Sequence, residues 1–330
     1  MIEEILSNLF TTSFYSFLFC IILTPLLMKL ANIINLKNKP QKNRLSEFQI
    51  PLSGGLSVML SFFLSFLFFS STMVFFQDIL FFLFLVVMIG FIDDFYNLSS
   101  LQKFLWPFIV CILSVSVGNI SSLLPYYSMN FLISLIWLYG ITNSVNFLDN
   151  MDGIATGFCS ISSLFFGILA LKTGNSELAT ISFIIFGSCL GFLLFNFPNA
   201  KCYLGDTGSL SLGFLLASIG ISGTWSIGYS GMHAYMLALF IPLMVMGLTI
   251  YDTTYVVFSR LLNGKKPWIG DTNHTTHKLL KQKLSQKQVC FYIYVLCFLF
   301  SISSYFSINF EFVEFIILLI FQAIILLWLT

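Results

Sequence analysis

Eleven apolar stretches dominate the chain, at about residues 13–30, 54–76, 79–92, 104–118, 131–146, 154–171, 178–196, 209–224, 234–258, 289–307 and 312–329. Each is long enough, or nearly so, to supply the roughly 20 residues that a helical span needs. Hydrocarbon offers no partner to a backbone N–H or C=O, so such stretches must be helices, which satisfy their own hydrogen bonds. The pattern predicts an all-α, polytopic integral membrane protein with about 11 transmembrane helices in a single domain, residues 1–330. No polar segment is long enough for a soluble domain. The opening "MIEE" is acidic where a signal peptide would be basic, so Phe14–Leu30 is expected to stay as the first span.

Basic residues orient the helices. If eleven spans alternate, fourteen of the fifteen Lys and Arg residues fall on one side, and only Lys172 falls on the other. That asymmetry predicts a cytoplasmic face bearing the loops at about 31–53, 93–103, 147–153, 197–208 and 259–288, with the N-terminus out and the C-terminus in. The same loops hold nearly all the polar chemistry. The outer loops "NISSLLPYYSMN" and "KTGNSE" hold nothing that resembles a site.

Within this pattern "GFIDDFYNLS", residues 90–99, stands out. Two adjacent carboxylates follow fourteen residues, Ile79 to Ile92, that carry no polar side chain. An ionised Asp left in hydrocarbon costs at least about 2.5–3.5 kcal/mol. The pair is therefore expected at a solvated helix end or beside a cation. Asp149, Asp152 and Asp206 end or begin other helices on the same face. A single Asp is equally explained as a helix cap, but five with few other acids around them point to a hard divalent cation bound through oxygen.

Asn143, Asn146 and Asp149 recur every three residues along one helical face. "GDTGS", residues 205–209, sets Asp206 between glycines at a helix start, where free N–H groups favour anions. From Arg260 to Lys287 there are seven basic residues together with His274 and His277. Such a stretch can simply follow the orientation rule and attract anionic lipid. Carboxylate-held metal opposite Lys, Arg and His donors is also what a phosphoryl transfer needs. Asp252 lies inside an apolar stretch, eight residues before Arg260, and is expected only to tune its helix.

Composition narrows the class. Hydrophobic residues make up 58% and charged residues 9%, against about 25% charged in soluble domains. A net charge of +1 gives no argument for nucleic acid. The seven cysteines form no CxxC and read as buried thiols.

Taken together, "IPLSGGLSV", "GFIDDFYNLSSLQK", "NSVNFLDNMDGIATG", "FNFPNAKCYLGDTGSLSLG" and "DTNHTTHKLL" resemble, in order and spacing, the polyprenyl-phosphate N-acetylhexosamine-1-phosphate transferases. The resemblance runs from about residue 40 to 288. It implies transfer of a sugar-1-phosphate from a UDP-N-acetylhexosamine to undecaprenyl phosphate with release of UMP. The implied cofactor is Mg²⁺, with Mn²⁺ as the alternative ion. The implied location is the bacterial inner (cytoplasmic) membrane, with the active site on the cytoplasmic face, membrane lipid around it and a homodimer as one possible assembly.

By motif position the resemblance makes Asp206 a metal ligand, with Asp94 and Asp149 as the other expected ligands. Asp93, Asp94, Asp149, Asp152, His274 and His277 are the expected catalytic group. Asn146, Asn196, Tyr203, Lys103, Arg260, Lys265 and Lys266 are expected to bind substrate, with Asn196 and Tyr203 toward the uracil.

Three positions depart from the family pattern. Asn150 replaces a usual Gly, Thr276 replaces the middle His of "H-x-H-H", and Ser46 interrupts a basic element. The loop looks more like the UDP-N-acetylhexosamine branch than the phospho-MurNAc-pentapeptide branch, which remains the alternative. A transporter would place its acids near the bilayer midplane, often in two repeated halves. A CDP-alcohol phosphotransferase would cluster its Asp residues on one helix pair. Neither pattern is found.

Overall fold

The computed structural model describes residues 2–37, 49–69, 77–223, 231–266, 274–310 and 312–328. Lys39, Lys42, Arg44, Ser46, Glu47, Asp271 and the 70–76 part of the second apolar stretch lie outside the described residues. Among the described residues there are thirteen helices and no β-strand. They are α1 (Ile2–Ile33), α2 (Gly54–Phe69), α3 (Gln77–Tyr96), α4 (Ser100–Val117), α5 (Tyr127–Leu148), α6 (Ile154–Lys172) and α7 (Ser176–Asn196). They continue with α8 (Gly205–Ser222), α9 (Gly231–Val245), α10 (Gly247–Leu262), α11 (Thr275–Lys281), α12 (Gln286–Ser307) and α13 (Phe312–Trp328).

Over its described residues, each of the eleven apolar stretches falls on a helix. Among the described residues, seven helices are long and apolar enough to cross a membrane, or eight if α9 and α10 count as one bent span. The protein is an all-helical, multi-pass membrane protein. The stretch 234–258 is not one straight helix, because it breaks at Met246 and bends by 73°. Pro242 inside α9 and Gly247 at the start of α10 are the local causes.

Helix α8 lies at the centre. All but one of its residues from Gly205 to Gly220 are buried, and it packs on α2, α3, α5 and α6. On its far side α7 joins α1, α2 and α6. Without a hydrophobic gain between helices in lipid, close backbone approach supplies much of the association, and small residues permit it. Gly90 of α3 is such a point, since a Cβ there would lie 2.5 Å from Thr207 Cα. Gly90→Val is therefore expected to push α3 off α8 and lower the unfolding temperature in detergent by several degrees, through about 1–3 kcal/mol of overpacking. Gly140→Ala is the matched control, because nothing lies within 4 Å of a Cβ at that position.

The same packing gathers one set of helix ends: the C-terminal ends of α3, α5 and α7 with the N-terminal ends of α2, α4, α6, α8 and α12. At the opposite ends lie Lys172, bonded to the Tyr305 carbonyl, and a cavity of about 680 Å³ lined in part by Asn119, Trp137 and Tyr235.

Candidate functional site

The site is assembled around the first turn of α8. Asp94, at the end of α3, accepts the Asp206 N–H at 2.8 Å on one carboxylate oxygen. Its other oxygen accepts the Thr207 N–H at 3.0 Å and the Thr207 hydroxyl at 2.5 Å. A carboxylate is well placed there, because a helix start leaves its first N–H groups unpaired. Gly205 makes the approach feasible. Its φ is +72°, and a Cβ would fall 2.7 Å from the Asp94 carboxylate.

Asp93 faces a different way. One oxygen accepts the Leu98 N–H at 2.9 Å, which closes the turn into α4. A Ser99–Gln102 capping box then starts α4 and sets the position of Lys103. The Lys103 ammonium lies 2.8 Å from Asp93 Oδ2 and 2.8 Å from Asp206 Oδ2. The Asn146 amide, from the end of α5, donates to Asp206 Oδ1 at 2.6 Å and to the Ser209 hydroxyl at 2.8 Å. Three residues from three helices, Asp94, Lys103 and Asn146, thus bond Asp206 directly. Burial pushes the Asp206 carboxyl up, but the Lys103 charge and the Asn146 hydrogen bond outweigh it and hold its pKa below the ordinary carboxylate value.

A second group orders the α5–α6 turn. Asp152 accepts the Ala200 N–H at 3.0 Å. The Asn196 side chain accepts from the Gly153 N–H and the Thr156 hydroxyl, and donates to the Cys202 carbonyl at 3.0 Å. Asn196 is thereby buried as a brace between α6, α7 and the loop before α8. Tyr203 is buried too. Its N–H donates to the Pro51 carbonyl and its own carbonyl accepts from Gly54, so the "IPLSGGLSV" element pairs with the chain entering α8. Asp149 caps the end of α5. Asn143 turns back to its own helix, donating to the Tyr139 carbonyl at 2.9 Å.

The histidines form a third group. His274 Nδ1 lies 2.8 Å from Asp252 Oδ2, and the Thr275 N–H donates to Asp252 Oδ1 at 2.7 Å. The His274 ring meets the edge of Phe147 with centroids 6.4 Å apart, and the buried Arg260 guanidinium lies 5.2 Å from the same ring. His277 stands 6.3 Å from His274, ring to ring. Lys265 and Lys266 are exposed on the chain leaving α10, and residues 267–273 lie outside the described residues.

Of the expected ligand set, Asp94 and Asp206 meet at the start of α8, and Asp149 lies at the end of α5. Asp93, rather than Asp94, shares a cation with Asp206, because Asp94 is spent on the α8 N-terminus. Among the described residues, no three His, Cys, Asp or Glu side chains converge as a complete metal cage. Asp252 and Phe147 are the site residues that sequence reasoning missed. A buried acid upstream of a histidine pair was the available signal for Asp252. Phe147, one more aromatic in an apolar helix, gave none.

Residues 76–224 match Glycosyl transferase family 4. Over 319 residues the chain is 29% identical to a Bacillus subtilis protein named "Probable undecaprenyl-phosphate N-acetylglucosaminyl 1-phosphate transferase", covering 92% of this chain and 86% of that relative. It is 30% identical over 249 residues to the phospho-N-acetylmuramoyl-pentapeptide-transferase of Halalkalibacterium halodurans, covering 67% and 76%. The chain belongs to glycosyl transferase family 4. A further family 4 relative is the decaprenyl-phosphate N-acetylglucosaminephosphotransferase of Mycobacterium leprae, 29% identical over 234 residues, which cover 63% of this chain and 58% of the relative. The stretch matched to family 4 contains Asp93, Asp94, Lys103, Asn146 and Asp206 and the whole α5–α6 turn. The α10–α11 segment, with Asp252, Arg260 and both histidines, lies beyond it.

Proposed function

We propose that the protein transfers N-acetylhexosamine-1-phosphate from a UDP-sugar to undecaprenyl phosphate, releasing UMP and starting a lipid-linked cell-surface glycan. The observation that carries this reading is the Lys103 ammonium held between Asp93 and Asp206, at a helix end where a lipid phosphate and a water-soluble nucleotide can meet. The N-acetylhexosamine branch is favoured because similarity to the Bacillus subtilis relative extends over 92% of this chain.

Asp93 and Asp206 offer only oxygen donors, and Mg²⁺ typically takes one or two carboxylates and completes its shell with phosphate oxygens and water. The donor set fits that ion, or Mn²⁺, and these two residues would hold it. When bound, the metal would neutralise charge on the donor diphosphate. Lys103 counters the charge of the acceptor phosphate, and Asn146 fixes the Asp206 carboxylate. His274, His277 and Arg260 supply donors and positive charge toward the diphosphate, while Asp149, Asp152, Asn196 and Tyr203 shape the nucleotide side. An oxygen of the lipid phosphate attacks the phosphorus bearing the sugar, and the bond to UMP breaks with its electron pair leaving on UMP. A phosphate monoester with a second pKa near about 6 is mostly dianionic at neutral pH, so no strong general base is needed.

The test is to incubate membranes containing the protein with undecaprenyl phosphate and a panel of UDP-sugars, then weigh the lipid product. A product heavier by one N-acetylhexosamine phosphate is expected. A product carrying MurNAc-pentapeptide would move the protein to the other branch, and the absence of any product would sink the reading.

In this reading the site faces the cytoplasm across the bacterial inner membrane, with eleven spans, α9 and α10 forming one of them. The seven native cysteines are buried, so surface labelling starts from a low background. A Cys placed at Lys265 is expected to react with an impermeant maleimide only from inside, and one at Asn175 only from outside. Labelling of both from one side would overturn the orientation.

A further inference from the structure

Two of the positions that depart from the family pattern, 126 residues apart in sequence, touch each other. The Thr276 hydroxyl donates to Asn150 Oδ1 at 2.7 Å, and Thr276 is fully buried. The Asn150 amide in turn donates to the Phe147 carbonyl at 3.1 Å. A continuous hydrogen-bonded path therefore runs from the end of α5, through the turn between Asp149 and Asp152, into α11.

Helix α11 has only seven residues, fewer than the dozen or so that an isolated helix needs to persist. External ties must set its direction. Asp252 of α10 grips it at His274 and Thr275. Further along α11, Lys278 lies over the Tyr255 ring and Leu279 is buried, so α10 and the core hold the helix, and neither ties it to the α5–α6 turn. Asn150 supplies that tie one residue before His277.

We propose that Asn150 and Thr276 form a latch that positions His277 toward the donor diphosphate. Thr276 is then a positioning residue and does not touch the sugar, because its hydroxyl is spent on Asn150 and its side chain has no exposed surface. The two departures also depend on each other. A Gly at 150 leaves the Thr276 hydroxyl without its acceptor, and a His at 276 needs the room that the Asn150 side chain fills. The inference rests on the assignment of His274 and His277 to the donor diphosphate.

The experiment measures kcat and KM for the UDP-sugar with purified full-length protein. Thr276→Val and Asn150→Ala are each expected to lower kcat about tenfold with KM within about twofold, and the double variant to be no worse than the poorer single. Thr276→Ser keeps the donor and is expected within about threefold of wild type. In a His277→Ala background, Thr276→Val should add less than about twofold, since the latch acts through that histidine. The reciprocal swap guards against misfolding: Asn150→Gly with Thr276→His should exceed either of its two singles.

Multiplying losses in the Asn150→Ala/Thr276→Val double, an undiminished Thr276→Val effect on the His277→Ala background, or a shift in sugar preference in Thr276→Val would each overturn the latch. Wild-type protein that transfers no sugar phosphate at all would instead overturn the functional reading beneath it.

Discussion

Asp206→Asn is expected to lower kcat/KM by at least about 10²–10³-fold, the cost typical of removing one group that stabilises transition-state charge. The argument rests on what converges there. Asp206 shares the Lys103 ammonium with Asp93, accepts the Asn146 amide and begins the central helix. An Asn side chain keeps the shape but has no charge to hold a hard cation or to balance Lys103. Its backbone N–H still reaches Asp94, so the α8 start should survive and the protein should stay folded. Two measurements check this: UMP release across a Mg²⁺ titration, and thermal unfolding in detergent. Loss of turnover with an unchanged unfolding temperature supports the assignment. Full turnover would place the metal centre elsewhere, around Asp149 and Asp152.

Much of this arrangement was legible in the sequence, and the gaps have physical causes. Hydropathy located the apolar helices because lipid selects for apolar surface, but it gave no sign of the short α11 inside a basic loop. It could not show direction, so the 73° break between α9 and α10 was hidden inside one apolar run whose Pro242 and Gly247 were the only cues. Composition also says little about where a helix sits. The Gly and Ser residues of α8 belong to a helix that faces protein on nearly every side.

The acidic pair shows the limit at the level of single residues. Adjacent positions on an α-helix point about 100° apart, so Asp93 and Asp94 had to serve different neighbours. Only the packing of α3 on α8 decides that Asp94 takes the helix start and Asp93 takes Lys103. Asn196 and Tyr203 were placed by motif alone. Both are buried, the Asn196 side chain bracing α6 against the loop before α8 and the Tyr203 backbone pairing with Pro51 and Gly54.

Asp252 reverses the expectation that it merely tunes its helix. Asp252→Asn is expected to lower kcat by about 10²-fold, close to the effect of His274→Ala. The carboxylate holds His274 Nδ1 at 2.8 Å and the Thr275 N–H at 2.7 Å, with both side chains buried. An Asn can still accept from Thr275, so α11 keeps one of its two bonds to α10. Its amide N–H₂, however, faces a ring nitrogen that donates to the carboxylate, and the imidazole must change tautomer or turn away. The His274 ring would then lose its orientation. The decisive comparison is the Asp252→Asn/His274→Ala double variant. If Asp252 acts only through His274, the double should be no slower than His274→Ala alone. A further tenfold loss in the double would show that the acid has a separate role within α10, and near-wild-type turnover of Asp252→Asn would remove the His274 clamp from the mechanism.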